Sequence, residues 1–267
     1  MARLDAELVN RGIARSRERA KEMIKAGAVT VNGKTAVKPA LEVLPEDIVE
    51  SSEKEIYVGR GALKLEKAAE FFELDFYGKV CLDIGASTGG FTEYMVEHGA
   101  SLVYAVDVGH GQLADSLRSD SRVVNMENTD IRSVLPEDLG SCVDIISVDV
   151  SFISLTKIIS KIYELLKEGG TAAVLIKPQF EAGKKDIGKK GIVKDKKVHM
   201  RILGELDSFF RMAGLAPLRY TFSPIRGGSG NIEYLAELKK ASETPPVCDF
   251  KELVEETFRN KFLTKLP

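Results

Sequence analysis

The chain reads as an α/β protein: a mostly parallel, doubly wound sheet with a small basic α+β module ahead of it. Three observations predict this. From Gly78 onward, short apolar runs alternate with helical stretches, the pattern of strand–helix–strand units. The first run leads into "DIGASTGGFTEYM", Asp83–Met95, and glycines between a strand and a helix bring backbone N–H groups to a ligand. The first forty residues carry nine Lys/Arg against four Asp/Glu and hold two short helical patterns followed by a hairpin signal.

The amino-terminal elements come first. "RLDAELVNRG" places Leu4 and Leu8 on one helix face, with Gly12 as its stop. "IARSRERAKEMIKAG" offers Ser16 as N-cap, the stripe Ala20, Met23 and Ile24, and Gly27 as a second stop. "AVTVNGKTAV" then alternates β-branched residues around Asn32-Gly33, the strongest short-range hairpin signal. Residues 1–50 are therefore expected to form an attached module, too small to bury much alone. A linker is expected over 51–58, around the polar stretch Ser51–Glu55 of "LEVLPEDIVESSEKE", then the sheet domain over 59–240 and a tail over 241–267.

In the sheet domain the spacing predicts strands at Val80–Ile84, Leu102–Val106, Val123–Met126, Val143–Val148, Ala172–Ile176, Ala216–Phe222 and Ile232–Leu238. Ligands of such sheets sit beyond the carboxyl ends of the strands. Several of those ends carry charge: Asp107 in "VYAVDVG", Asp130 in "ENTDIR" after the third strand, Asp149 in "VDIISVDVSFISL" and Lys177 in "LIKPQF". Pro178 follows Lys177 at once and stiffens the chain as it leaves the strand. If the last strand runs antiparallel, its beginning shares that edge and brings Glu233 of "GNIEYLAEL" there. Lys64 of "GRGALKLEKA", on a helix ahead of the first strand, can reach the same crevice. In the glycine loop the spacing is Gly85, Gly89, Gly90, with Ser87 where the dinucleotide fingerprint has its second glycine. That departure weakens a nicotinamide reading, since the missing glycine admits the pyrophosphate.

Composition narrows the class. With 267 residues, 44% hydrophobic and 29% charged, the chain has room for one large domain and a small one. Its net charge of −2 hides a second basic island: residues 177–201 carry nine Lys/Arg against three Asp/Glu. Two such islands fit a polyanionic partner. Cys81, Cys142 and Cys248 show no metal-ligand spacing, and His98, His110 and His199 form no cluster, so no metal is expected. Met1 leads straight into charged residues and no run approaches the ~18 apolar residues of a membrane helix. No stable membrane insertion is expected, and the cytoplasm is the default location.

Two resemblances sharpen these expectations. The run "RLDAELVNRGIARSRERAKEMIKAGAVTVNGK" resembles the S-four-type RNA-binding domain. That resemblance implies phosphate contacts from Arg3, Arg15, Arg17, Arg19, Lys21 and Lys34. The glycine loop behind Asp83 resembles motif I of class I (Rossmann-like) S-adenosylmethionine-dependent methyltransferases, whose last strand is antiparallel. It implies donor contacts from Asp83, Gly85, Ser87, Thr88, Gly89, Gly90, Phe91, Val108 and Asp149, with Asp107 on the ribose hydroxyls and Asp130 on the adenine amino group. The set Lys64, Asp149, Lys177 and Glu233 is the one found in FtsJ-like RNA ribose 2′-O-methyltransferases. Taken with "GRGALKLEKA", "LDIGASTGGFT", "AVDVGHGQLA", "DVSFISL", "LIKPQFEAG", "GIVKD" and "GNIEYL", residues 3–239 resemble the TlyA-type rRNA 2′-O-methyltransferases, a family often labelled haemolysin. Ala62, His110 and "NTDIR" depart from the family pattern, the last weakening the role given to Asp130.

What the resemblance implies is methyl transfer from S-adenosylmethionine to a ribose hydroxyl, with ribosomal RNA or ribosomal subunits as partner and cytidine as the target. A free lysine, with a pKa of about 10.4, is a poor base at neutral pH; desolvation and a second cation favour its neutral form. Lys177 is then the base or hydroxyl-orienting group, Lys64 and Glu233 steer the hydroxyl, and Asp149 balances the cations. Arg60 and the segment holding Lys184, Lys185, Lys189 and Lys190 are expected as RNA contacts, the latter as a flexible wall of the groove. Three other readings stay open on sequence: a dehydrogenase, a non-catalytic rRNA-binding assembly factor and a haemolysin-like membrane-active protein. "ASETPPVCDF" reads as a linker and "FKELVEETFRNKFLTKL" as a terminal amphipathic helix that packs, dimerises or touches RNA.

Overall fold

The computed structural model describes residues 2–14, 17–52, 57–241 and 246–260, and only the backbone of Arg19. Arg15, the expected cap Ser16, part of each expected linker (53–56 and 242–245) and residues 261–267 lie outside the described residues. The chain divides into two compact units, Met1–Val58 and Gly59–Pro267.

The first unit runs β1 (Ala2–Arg3), α1 (Leu4–Asn10), α2 (Arg17–Lys25), β2 (Val29–Val31), β3 (Lys34–Thr35), β4 (Glu42–Val43) and β5 (Val49–Ser51). The apolar positions of the two helices, Leu4, Leu8, Ala20, Met23 and Ile24, meet Val29, Val43 and Val49 in one small core. Asn32 and Gly33 both take positive φ, +50° and +76°, as a two-residue hairpin turn matched to strand twist requires. β2 pairs with β3 through this turn and with β5 on its other side. The expected linker therefore starts later than Ser51, which pairs with Val29. Asp47 closes the preceding turn by accepting from Leu44 N (2.7 Å) and Asn32 Nδ2 (2.8 Å).

The second unit continues with α3 (Ala62–Phe72), β6 (Val80–Ile84), α4 (Gly90–Glu97), β7 (Leu102–Val106), α5 (Asp115–Arg118), β8 (Val123–Met126), β9 (Val143–Val148), α6 (Ile159–Leu165), β10 (Leu166–Ile176), α7 (Pro178–Glu181), α8 (Lys196–Met212), β11 (Ala216–Phe222), β12 (Tyr234–Lys239) and α9 (Phe250–Arg259). Seven strands form one sheet in the order β11-β12-β10-β9-β6-β7-β8. β12 runs antiparallel to both neighbours, while β10, β9, β6, β7 and β8 are parallel. The inner strands are mostly apolar because both faces are covered, and Leu82, Ile146, Val174 and Ala236 share one core with Ile162 and Leu206 of the helices.

Two strand limits differ from expectation. β10 begins at Leu166, ahead of Ala172, across a register shift between Leu166 and Thr171. β12 begins at Tyr234, so Glu233 lies just outside it. The lysine-rich segment ends earlier than its composition implies, since Asp195 caps α8 by accepting from Lys197 N. The terminal helix packs: Leu253 and Val254 of α9 join the sheet core. Phe250 meets Tyr220 edge-on at 5.1 Å and Phe258 meets His199 at 5.2 Å.

Register places the functional edge. Ile84 pairs with Val106 on one side and Val148 on the other. Val174 pairs with Val148, and Ile176 with Tyr234. The residues that follow these strand ends, Gly85, Asp107, Asp149 and Lys177, thus emerge along one rim, and Glu233 joins them because β12 is reversed.

Candidate active site

Lys177 leaves β10 in an extended conformation and forms the N-cap of α7, whose first residue is Pro178. Proline suits that position, since its missing N–H would have no partner there. The Lys177 Nζ lies 2.5 Å from Asp149 Oδ1 and donates to Ser151 Oγ at 2.8 Å. Lys64, on the first turn of α3, reaches the same carboxylate from the other side, with Nζ 3.6 Å from Asp149 Oδ2 and 2.8 Å from Glu233 Oε2. The four side chains thus form one chain of alternating charge, Lys177–Asp149–Lys64–Glu233. Both lysine side chains are 10% exposed and that of Glu233 only 2%. Equal numbers of each sign offset the cost of removing these ions from water.

The ion contacts are close but not aligned as hydrogen bonds: among the described residues, none directs a donor at buried Asp149 Oδ1 or Glu233 Oε2. Acceptor capacity therefore remains beside both lysines. Two glycines make the arrangement possible. A Cβ at Gly227 would collide with the Glu233 carboxylate, and one at Gly85 (φ +86°) with the Asp149 carbonyl oxygen.

Two cavities meet at Asp149. The larger, about 410 Å³, is lined by Gly85, Ser87, Asp107, Val108 and Asp130 among the expected donor contacts, together with Ile131 and Phe152. Asp107 accepts from Ser87 N (2.8 Å) and Gly109 N (2.7 Å), which fixes its carboxylate and leaves acceptor positions for hydroxyl groups. Asp130 also lines the cavity, but its carboxylate is gripped by the Arg132 guanidinium, which holds it down at about 2. The smaller cleft, about 240 Å³, is lined by Arg60, Lys64, Thr88, Gly90, Phe91 and Arg226. Volume, a glycine wall, an acid for hydroxyls and apolar Ile131 and Ile158 fit a nucleoside in the larger cavity.

Asp83 and Gly89 depart from expectation. Asp83 is fully buried and lines neither cavity; Thr92 Oγ1 donates to it at 2.7 Å and Ser147 Oγ at 3.0 Å. Burial, the largest influence, pushes its carboxyl up to about 7. Its place is beneath the glycine loop, tying β6 to α4 and β9, with no face toward a ligand. Gly89 (φ +95°) is packed against Leu113 and Leu117, so it shapes the turn and touches neither cavity.

Sequence pattern does not single out several other residues near the site. Gln112 lines the larger cavity and receives a bond from Ser87 Oγ at 3.2 Å. Glu127 accepts from the Leu113 and Gln112 amides, and the Leu113 amide foremost holds its carboxyl down at about 2. Arg226 and Gly227 come from "RGGSG", a glycine-rich turn just before a strand, which was the available signal.

The basic residues divide between the units. In the first, Asp5 is fully buried and binds Arg3 through Nε and Nη2, both at 3.0 Å, and Arg17 Nη2 at 3.0 Å. Arg3, foremost, holds the Asp5 carboxyl at about 2. Lys21 pairs with Glu18 and Lys34 is exposed; Arg15 and the Arg19 side chain lie outside the described residues. In the second unit Lys184, Lys185, Lys189 and Lys190 are exposed, and their segment makes several contacts with the rest of the unit. Arg201 holds Asp186 at 2.7 Å. Buried Asn231 accepts from Val193 N at 3.1 Å and donates to Gly191 O at 2.9 Å. His199 Nε2 contacts Val193 O at 3.1 Å while its Nδ1 contacts the Tyr234 hydroxyl at 2.9 Å. Among the described residues, no helix is long and apolar enough to cross a membrane.

Comparison with known proteins shows which family the chain resembles. The chain is 43% identical over 245 residues to the 16S/23S rRNA (cytidine-2′-O)-methyltransferase TlyA of Mycobacterium tuberculosis, covering 91% of each. It is 43% identical over 235 residues to hemolysin A of Brachyspira hyodysenteriae, covering 88% of this chain and 98% of that one. A solved structure of a candidate hemolysin from Streptococcus thermophilus superposes with a TM-score of 0.79 at 40% identity, covering 99% of this chain and 97% of that one. Residues 2–49 match the S4 domain and residues 57–240 the FtsJ-like methyltransferase model. The chain belongs to the FtsJ-like methyltransferase family and carries an S4 domain at its amino-terminal end.

Proposed function

We propose that this protein transfers the methyl group of S-adenosylmethionine to the ribose 2′-hydroxyl of a cytidine in ribosomal RNA, acting on a ribosomal subunit or its RNA. The observation that carries this reading is the Lys177–Asp149–Lys64–Glu233 chain at the junction of two cavities. The names of the relatives from Mycobacterium tuberculosis and Campylobacter jejuni support cytidine and rRNA, and differ in whether the small subunit's RNA is included.

In this reading the larger cavity holds the adenosine end, with Asp107 on the ribose hydroxyls and Ile131 beside the base. Gly85, Ser87 and Thr88 follow the donor toward the smaller cleft. Bound S-adenosylmethionine supplies a methyl group already activated on a sulfonium, so the chain's own work is placement and deprotonation. Lys64 and Glu233, paired at 2.8 Å, steer the incoming hydroxyl. Lys177 either orients the hydroxyl or takes up its proton as the methyl group transfers. Asp149 touches both lysines and keeps their charge balanced. Arg60 and Lys184, Lys185, Lys189 and Lys190 draw the RNA to the second unit, and Arg3, Arg17, Lys21 and Lys34 serve the S4 domain in the same way.

The test is incubation of the pure protein with methyl-labelled donor and ribosomal subunits from cells lacking this enzyme, followed by nuclease mapping of 2′-O-methylated nucleotides. One modified cytidine in either subunit is the expected result. Label on a base, or none in RNA, would remove the proposal.

A further inference from the structure

We infer that Glu181 is a positioning residue for the Lys177–Asp149 pair, fastening the two loops that carry them into one unit. The assignment rests on the methyl-transfer reading above. The segments after β9 and β10, "DVSFISL" and "KPQFEAG", are cross-linked in order along their length. Lys177 Nζ donates to Ser151 Oγ at 2.8 Å. The Phe180 ring lies 5.0 Å from that of Phe152. Glu181 then accepts from Ser154 Oγ at 2.6 Å through Oε2 and from Leu155 N at 2.9 Å through Oε1.

The loop needs such a fastener. Phe152 sits at φ +65°, a conformation bulky residues avoid, and is 91% exposed, so apolar burial does not hold it there. Leu155, by contrast, is buried in the sheet core and opens a turn of 3₁₀ helix, Leu155–Lys157. Glu181 grips the backbone at this anchored point and lies four residues past Lys177. The strained stretch carrying Ser151 and Phe152 is thus clamped between Asp149 at one end and Glu181 at the other. Burial pushes the Glu181 carboxyl above its ordinary range, a cost compensated by two directed donors. If the clamp opens, Ser151 withdraws from Lys177, and displacement of a reacting group by about 1 Å costs up to about a hundredfold in rate.

The experiment uses the full chain with unmethylated ribosomal subunits and labelled S-adenosylmethionine in single turnover, normalised to donor-binding sites counted by calorimetry. Glu181→Ala is expected to slow transfer about thirty- to hundredfold, with donor Kd within about threefold of the unaltered protein. Glu181→Gln, whose amide can meet both partners, is expected to stay within about fivefold. Ser154→Ala removes one donor, gives an intermediate loss, and answers the question if alanine at 181 fails to fold. The ¹³Cε resonance of Lys177, assigned with Lys177→Arg, is expected to shift in Glu181→Ala and stay in place in Glu181→Gln. Unchanged transfer in Glu181→Ala and Ser154→Ala, or a loss in Glu181→Gln as large as in alanine, would overturn the assignment. Lys177→Ala is the control: an active enzyme there would instead remove the reading on which this inference rests.

Discussion

Lys64 Nζ stands 2.8 Å from Glu233 Oε2, joining a helix ahead of strand β6 to the residue that precedes the reversed strand β12. The contact exists because β12 runs antiparallel: a parallel β12 would leave Glu233 at the far edge of the sheet. It also depends on Gly227, whose missing side chain leaves room for the carboxylate.

That dependence is testable without touching a charged group. Gly227→Ala is expected to push Glu233 off Lys64 and lower methyl transfer about ten- to hundredfold. Gly227 is not in the left-handed region, so the backbone tolerates alanine. Gly228→Ala, with open space around it, should leave the rate unchanged. Equal rates in both variants would show that Glu233 needs no fixed seat.

Asp83 should mark the pH dependence of stability. Its folded pKa of about 7 lies above the unfolded value of about 3.9. Between these limits the folded state keeps a proton that the unfolded state has lost. Stability due to this group is therefore full below about pH 4 and is lost as pH rises through about 7, by at most ~1.4 kcal/mol per pH unit. Denaturant titrations of the unaltered protein and Asp83→Asn from pH 4.5 to 8.5 should show the variant losing less stability toward high pH. Parallel curves would mean that Asp83 is ionised in both states.

The S4 domain makes a salt-dependent prediction. Arg17→Ala with Lys34→Ala is expected to weaken binding to ribosomal RNA similarly across sequences. The slope of log K against log salt should fall by about two, one for each cation removed from a phosphate. An unchanged slope would place the RNA elsewhere on the chain.

Much of this architecture is legible in the sequence. Inner parallel strands are mostly apolar, so Val80–Ile84 and Val143–Val148 stand out despite Asp83, Asp144 and Ser147, and charges directly after them emerge at the rim. Glu233 is legible at the rim only if the last strand is reversed. Asp83 misled because an acid ahead of a glycine loop looks the same whether it faces a ligand or supports the loop from below. Only the hydroxyls of Thr92 and Ser147, brought in from other elements, decide between the two. β4 and β5 are two and three residues long, too short to show a period. The contacts of the basic segment are not legible because Asn231, His199 and Arg201 lie downstream beyond any local pattern.

The central claim is that Lys177 acts on the ribose hydroxyl and leaves donor binding alone. Single-turnover methyl transfer to ribosomal subunits by Lys177→Ala, measured beside its Kd for S-adenosylmethionine, tests this most directly. The account predicts transfer lowered by about a thousandfold or more with Kd within about threefold. Transfer at the unaltered rate, or a loss explained wholly by weaker donor binding, would contradict it.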